Sequence, residues 1–390
     1  MKRTRSPRPP RSAPDTEALL KEARALGLSS SRLEDAYWEA RLSNQIDTLL
    51  KGKDDDTLNA ALDHLYQSDD RGYEGLVDLV ESRTESHSTG GDQGDDLLLI
   101  AIPILAWSRY SIPSGPVSAA ILTNVRTQLM AHVLAADTRL ALANALFSPD
   151  QIPPGFSATA RFTGQLGRAA QQNVDFHVDA GQLPEAMHFL SDNRYILAAV
   201  AVKHGAPIFR WQEQDGDREQ AEAQWKQQGG EVLRPLFPGC AIEARLPLAF
   251  FSACRDTDRA ARGYAIQASV AFLNATFPEA ADQLQAVIAP FHERRLTEYR
   301  IGFTLADGAK VVHGVVWPLL DAEDENSDVP GQVESILTAA GVNRITSLDH
   351  AFPAEYCDDC GAPYYPNQDG ETVHAEMPEE EGTPHSRHLH

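Results

Sequence analysis

The chain has 390 residues, of which 42% are hydrophobic and 23% charged, a balance typical of a folded protein with two or three domains. Its formal net charge is −22 at pH 7, so its surface repels phosphate backbones and nucleic acid is not expected as a partner of the folded body. Because it has only four cysteines and no apolar run long enough to span a bilayer, we expect a cytoplasmic protein with reduced thiols and no membrane association.

Residues 1–14 form a segment of opposite charge at the start of the chain. This segment has five basic residues and no acidic residue before Asp15, and it is otherwise rich in Pro and Ser. Its composition predicts a disordered basic arm. An alternative is that the arm alone binds nucleic acid, and such binding would depend strongly on salt.

Residues 15–83 are predicted to form a helical subdomain. Ser31, with Glu34 three residues later, has the pattern of a capping box that begins one of its helices. The apolar residues of this helix are predicted to line a single stripe: Leu33, Tyr37, Ala40, Ile46 and Leu50. The next stretch, 84–96, is rich in Ser, Thr, Gly and Asp and predicts a flexible linker.

Three tryptophans recur at nearly equal intervals in residues 97–356: Trp107, Trp211 and Trp317. Each lies at the end of an apolar predicted strand, and each is followed by a helix start and a second strand that ends at Phe147, Phe251 or Phe352. This self-similar pattern predicts three related strand-helix-strand units of an α/β protein in one or more mixed sheets. The order favours a right-handed crossover, so the strands of one unit are expected to pair in parallel. Interruptions at 204–206 and 307–308 predict hairpins in the second and third units.

The strongest local motif follows the third unit and contains Cys357 and Cys360, with Gly361 directly behind them. Two thiolates separated by two residues, before a glycine that permits a tight turn, make half of a tetrahedral zinc site. Neutral imidazole is a good zinc ligand, so His374 and His350 are the candidates for the remaining positions.

Residues 357–376 are therefore predicted to form a zinc-knuckle hairpin that holds one structural zinc ion. Residues 377–390, which include a run of three glutamates, predict a disordered tail. The tail histidines are weaker ligand candidates: His385, His388 and His390. A reduced cysteine pair without metal and a thiol redox pair remain alternatives.

A catalytic interpretation of the same motif centres on Glu376. Together with His374 and the two cysteines, it has the residue types of a zinc deaminase site, in which a glutamate moves protons to a metal-activated water. Here the cysteine pair precedes the histidine, which reverses the order of that signature. A zinc-dependent hydrolase or deaminase that uses Glu376 is therefore an alternative function. The leading interpretation assigns no catalytic residue.

Three segments carry a resemblance to a known family: 206–211, 312–319 and 357–378. Over about residues 97–378 the chain resembles a bacterial family catalogued only as a domain of unknown function, and the Cys-x-x-Cys-Gly hairpin is the most distinctive part of this likeness. The resemblance implies a cytoplasmic bacterial protein and assigns no activity. The sequence thus favours a non-enzymatic, zinc-stabilised interaction or regulatory protein with an unidentified protein partner.

Overall fold

The computed structural model describes residues 14–91, 94–305, 310–320 and 323–377. The basic arm predicted at 1–14 and the tail predicted at 377–390 therefore fall almost entirely outside the described residues, as do the three tail histidines.

Four helices pack together at the start of the described chain. They are α1 (Pro14–Gly27), α2 (Arg32–Gly52), α3 (Asp55–Tyr66) and α4 (Asp70–Glu85). Ser31 caps α2 by accepting a hydrogen bond from the backbone N–H of Glu34, as the capping pattern predicts. The helices share a core of buried leucines and isoleucine, including Leu19, Leu42, Ile46, Leu58 and Leu76.

The residues predicted to be a flexible linker, 84–96, mostly belong to regular structure. Helix α4 continues to Glu85, and β1 (Ser86–Thr89) pairs antiparallel with the start of β2 (Asp95–Trp107). The polar composition of this stretch is compatible with a strand because β1 is a short edge strand, whose side chains need not be apolar.

The remaining elements alternate strands and helices, which confirms the mixed α/β class. The strands of the first part are β3 (Gly115–Pro116), β4 (Arg139–Leu142), β5 (Ala145–Leu146), β6 (Ser191–Lys203), β7 (Ala241–Ala244) and β8 (Leu248–Ala249). The helices are α5 (Ala119–His132), α6 (Gly155–Gln171), α7 (Arg218–Gln224), α8 (Gly230–Leu233) and α9 (Phe250–Thr276), with a π-helical turn between α7 and α8.

The first two units interlock in one sheet. Strands β2 and β6 pair antiparallel over their whole length, and they are almost entirely buried. Strand β4 of the first unit pairs with β6, while β7 and β8 of the second unit pair with β2, in each case antiparallel. The predicted parallel pairing within a unit is wrong here. The second strand of each unit pairs with the first strand of the other unit instead of with its own.

The third unit lies in a second sheet. This sheet contains β9 (Gln285–His292), β10 (Leu296–Thr304), β11 (Val311–Pro318), β12 (Arg344–Ser347) and β13 (Phe352–Pro353), and α10 (Val329–Ala339) connects β11 to β12. Strands β10 and β11 pair antiparallel, which confirms the hairpin predicted in the third unit. Strands β12 and β13, which end this unit, do pair in parallel, but their partner is β9, which precedes the hairpin.

The three tryptophans do not occupy equivalent positions. Trp107 ends β2, whereas Trp211 lies on a short 3₁₀ turn and stacks on Phe209 with ring centroids 4.5 Å apart. Trp317 is buried in β11 beneath the guanidinium of Arg262 from α9. The hairpin predicted in the second unit is also wrong, since β6 is one continuous strand. The strand-helix-strand order recurs, but the aromatic landmarks mark different kinds of packing.

Candidate metal centre

The C-terminal hairpin predicted from the sequence is present. It consists of β14 (Tyr365–Pro366) and β15 (Thr372–Val373), which pair antiparallel. Its turn is held by the buried Asn367, whose side-chain oxygen accepts hydrogen bonds from the backbone N–H groups of Asp369 and Glu371 at 3.0 and 2.9 Å. An Asn side chain in a turn supplies an acceptor for backbone N–H groups that have no backbone partner there.

The hairpin packs on the second sheet at a pair of glycines. Gly302 of β10 and Gly314 of β11 are register partners, so together they remove two side chains from one spot on the sheet. A Cβ atom at Gly302 would lie 2.2 Å from the carbonyl oxygen of Pro366, and one at Gly314 would lie 2.3 Å from the ring of Tyr365. Strand β14 therefore fits against the sheet only because both positions are glycine.

Arg300 of β10 connects the sheet to the cysteine loop. Its side chain is fully buried, and its Nη1 donates to the carbonyl oxygens of Glu355 and Tyr364, both at 2.8 Å. Its Nε donates to Glu298 at 2.6 Å, which supplies the opposite charge that a buried guanidinium needs. The guanidinium also lies over the rings of Phe291 and Tyr356, at 4.3 and 5.0 Å from their centroids. One side chain thus fixes both ends of the loop that carries the cysteines.

The loop between these ends turns back sharply at Gly361. Gly361 has φ of 72°, in the left-handed region that favours glycine. Its N–H donates to the carbonyl of Cys357 at 2.8 Å, and the N–H of Cys357 donates to the carbonyl of Ala362 at 2.7 Å. These bonds fold the chain back on itself so that both cysteine side chains face the same space.

Three of the four predicted ligands come together. The ligand atoms of Cys357, Cys360 and His374 all lie within 4.8 Å of one another, and Cys360 Sγ is 3.1 Å from His374 Nε2. Two zinc-bound thiolates in a tetrahedral site are separated by roughly 3.8 Å, so the donor atoms are already near the spacing that a metal requires. The group could hold a metal ion.

The local electrostatics favour a thiolate at the first cysteine. The backbone N–H groups of Asp359 and Cys360 donate towards its sulfur and lower the pKa of the Cys357 thiol. The negative charge of Cys357 in turn raises the pKa of the Tyr364 hydroxyl beside it. A metal ligand must be deprotonated, so both effects agree with a ligand role for Cys357.

His350 is not part of this group. It is exposed before β13, and its ring meets the Phe352 ring edge-on at a centroid distance of 4.9 Å. Phe352 packs on Phe291, and this contact keeps that stretch against the sheet. Glu376 is also exposed, and its backbone N–H donates to the carbonyl of Val311 at 2.9 Å, which ties the chain after β15 to β11.

The residues that position the site are not among those predicted from the sequence. Arg300, Gly302 and Gly314 do leave a signal, because a charged residue and two glycines are unusual inside apolar strands. Their partners lie more than fifty residues away in the chain, so this signal did not point to the hairpin.

A cavity of about 700 Å³ lies elsewhere, between the end of α5 and the start of α7, and its lining includes His132, Arg210 and Asp217. A smaller cavity is also remote from the hairpin, with Arg245 and Thr257 in its wall. Neither cavity reaches the cysteine group.

Comparison with known proteins adds the family of the chain. Over residues 4–388 it matches a family described as "Protein of unknown function (DUF2863)". No curated protein and no solved structure matches it. Among the described residues, every helix is too short or too polar to cross a membrane. Because the family match covers nearly the whole chain, the protein belongs to the DUF2863 family.

Proposed function

We propose that this protein is a non-enzymatic interaction or regulatory protein of the bacterial cytoplasm whose C-terminal hairpin is stabilised by one zinc ion. The ion would be bound by Cys357, Cys360 and His374. The observation that carries the proposal is the convergence of these three donors within 4.8 Å on a loop whose two ends are fixed to the sheet.

The donor set favours zinc over other metals. Thiolate and imidazole are the ligands of structural zinc sites, whereas calcium and magnesium prefer oxygen. Reduced thiols are the normal state in the cytoplasm, where such sites form without competition from disulfides. Short strands of two residues, as in β14 and β15, are typical of small hairpins that a metal holds together.

The placement of the site favours a structural role. The hairpin covers one face of the second sheet, opposite the face packed by α9 and α10, so an ion there would secure part of the core. An acidic surface with net charge −22 is suited to a basic or neutral protein partner rather than to nucleic acid.

Metal analysis of the purified full-length chain tests the proposal. We expect about one zinc per chain, and loss of the metal together with lower stability in Cys357→Ser and His374→Ala, because each removes a donor. His350→Ala is the matched control, since this histidine lies outside the group and its variant should keep the metal. A metal-free wild-type protein, or a Cys357→Ser variant with full zinc content, would contradict the proposal.

The second candidate is a zinc-dependent hydrolase or deaminase using Glu376. It is favoured by the number of ligands, since three protein donors leave a fourth position for the water of a catalytic zinc site. Cobalt substitution shows whether the fourth position is open, because the absorption spectrum of bound cobalt then changes with added anions, and turnover distinguishes the two candidates. An open position combined with turnover of nucleobase substrates that Glu376→Gln abolishes would favour the enzyme.

A further inference from the structure

Helix α2 has two apolar faces rather than the single stripe predicted from the sequence. Its inner face packs in the helical core through Leu42, Ile46, Leu49 and Leu50. Leu33 and Tyr37, by contrast, are 87% and 56% exposed. Tyr37 and Ile46 are nine residues apart, which is about 2.5 helical turns, and so they point in opposite directions.

The outer face of α2 consists of Leu33, Ala36, Tyr37 and Ala40, all of which are exposed. It is preorganised rather than loose. Arg41 forms an ion pair with the nearly buried Glu22 of α1, and its guanidinium lies 6.0 Å from the centre of the Tyr37 ring. Trp38 meets the same ring edge-on at 5.0 Å. Within the described residues nothing covers this face. A single exposed apolar side chain is ordinary on a protein surface, but several in a row on one helix indicate a contact surface.

We infer that the outer face of α2 binds the same face of a second copy of this chain, with the two helices antiparallel. When the helices cross between Ala36 and Tyr37, Leu33 of one copy lies opposite Ala40 of the other, and Tyr37 lies opposite Ala36. Each large side chain then meets a small one, which lets the helices approach closely and interdigitate. Such a two-fold arrangement uses one patch twice, as most homodimers do.

The charges beside this face are complementary in the antiparallel orientation, which the match of large with small side chains selects. Arg32 and Glu39 are seven residues apart and lie along one edge of the face, while Glu34 and Arg41 lie along the other. Reversing one helix places Arg32 of each copy beside Glu39 of its partner, and Glu34 beside Arg41. A parallel pair would set Leu33 against Leu33 and Tyr37 against Tyr37, which removes the match of large with small side chains.

The outer face of α2 shares no residue with the C-terminal hairpin, so the dimer and the metal site can be tested separately. The experiment is sedimentation equilibrium of the full-length chain over a wide concentration range. We expect a reversible dimer whose dissociation constant rises at least about tenfold in the Leu33→Ser/Tyr37→Ser variant, because apolar and aromatic anchors dominate such interfaces. These side chains are exposed in the single chain, so the variant should keep the wild-type melting temperature at concentrations where both proteins are monomeric. Tyr110→Ser, which changes an aromatic residue that is 81% exposed after β2, is the matched control and should leave the dimer unchanged.

Charge exchange tests the orientation. Glu39→Arg alone places like charges together and should weaken the dimer, and the double variant Arg32→Glu/Glu39→Arg should restore it, because the pair is exchanged on both copies. In a parallel dimer the changed residues would instead lie beside Glu34 and Arg41 of the partner, which carry the same charges. The double variant would then still dimerise weakly. A monomer at every concentration, a dimer indifferent to the Leu33 and Tyr37 changes, or a double variant without recovery would overturn the inference.

Discussion

At the scale of single residues, Arg300 determines whether the cysteine loop is held in place. It is the only described side chain that donates to both Glu355 and Tyr364, the residues on either side of the loop. A buried arginine is costly to desolvate, and its pairing with Glu298 and the two carbonyls offsets that cost. Replacing it removes the donor to Glu298 and to the carbonyl of Tyr364, and it leaves the carbonyl of Glu355 with only the backbone N–H of Tyr364.

We therefore expect Arg300→Leu to lower the free energy of unfolding by roughly 3–5 kcal/mol, the range for breaking a buried ion pair. It should also raise the zinc dissociation constant at least about tenfold, since the loop ends are no longer fixed. Denaturant titration and chelator competition measure the two effects. Arg294→Leu, at an exposed position, is the control. If the zinc affinity of Arg300→Leu equals that of the control, Arg300 does not position the site.

At the scale of elements, the contact between β14 and the second sheet depends on the glycine pair. Side chains alternate along β10, so Tyr299, Ile301 and Phe303 face the helices while Gly302 faces the hairpin. The second sheet is therefore covered on one face by α9 and α10 and on the other by the short hairpin and the cysteine loop. A small change in the sheet surface can displace this thin cover.

Gly302→Ala should displace the hairpin, because the added Cβ meets a backbone oxygen that cannot rotate away. We expect a loss of roughly 1–3 kcal/mol of stability, the range for overpacking, and faster amide hydrogen exchange in 365–373. Gly52→Ala is the matched control, since a Cβ there meets nothing within 4 Å. An unchanged rate of amide hydrogen exchange in the hairpin would show that the sheet, and not the hairpin, shifts to make room for the added Cβ.

At the scale of the whole molecule, α9 joins the three cores. It packs against β2 and β6 of the first sheet and against β11 and α10 of the second. Its first turn has no side-chain cap of its own, and Glu85 at the end of α4 accepts a hydrogen bond from the backbone N–H of Phe251 at 2.9 Å. Arg255 of α9 also pairs with Glu81 of α4. The end of α4 thus attaches the helical subdomain to α9, in addition to the packing of its helices on α6.

This attachment is expected to depend on pH. Burial raises the pKa of Glu85 from 4.5 to about 7, the neighbouring Glu81 acts in the same direction, and the N–H of Phe251 and the charge of Arg255 oppose the rise. Since the folded state holds this proton more tightly than the unfolded state, the contribution to stability is complete below pH 4.5 and is lost as the pH rises through about 7.

Glu85→Gln keeps an oxygen for the N–H of Phe251 and removes the titration. We expect this variant to gain stability over the wild type as the pH rises from 5 to 8, by an amount on the order of 3 kcal/mol. Urea unfolding at several pH values measures the difference. Glu334→Gln, at an exposed site on α10, corrects for the loss of one negative charge. A constant difference between the Glu85 variant and wild type across this range would exclude the linkage.

Local patterns in the sequence determined much of this protein. These features depend on residues near one another in the chain, where spacing and turn chemistry act directly: the helix cap at Ser31, the strand-helix-strand order, the hairpin after Cys360 and three of the candidate ligands. The family resemblance at the C-terminal motif agrees with the family match over the whole chain.

Only the tertiary structure decided which strands pair, which face of α2 is buried, and what holds Cys357, Cys360 and His374 together. The closing strands of the first two units exchange partners, His350 is kept on the sheet by Phe352, and Arg300 reaches carbonyls far along the chain. Such contacts form between residues distant in sequence, where burial and hydrogen-bond geometry select one arrangement among many that local patterns allow equally.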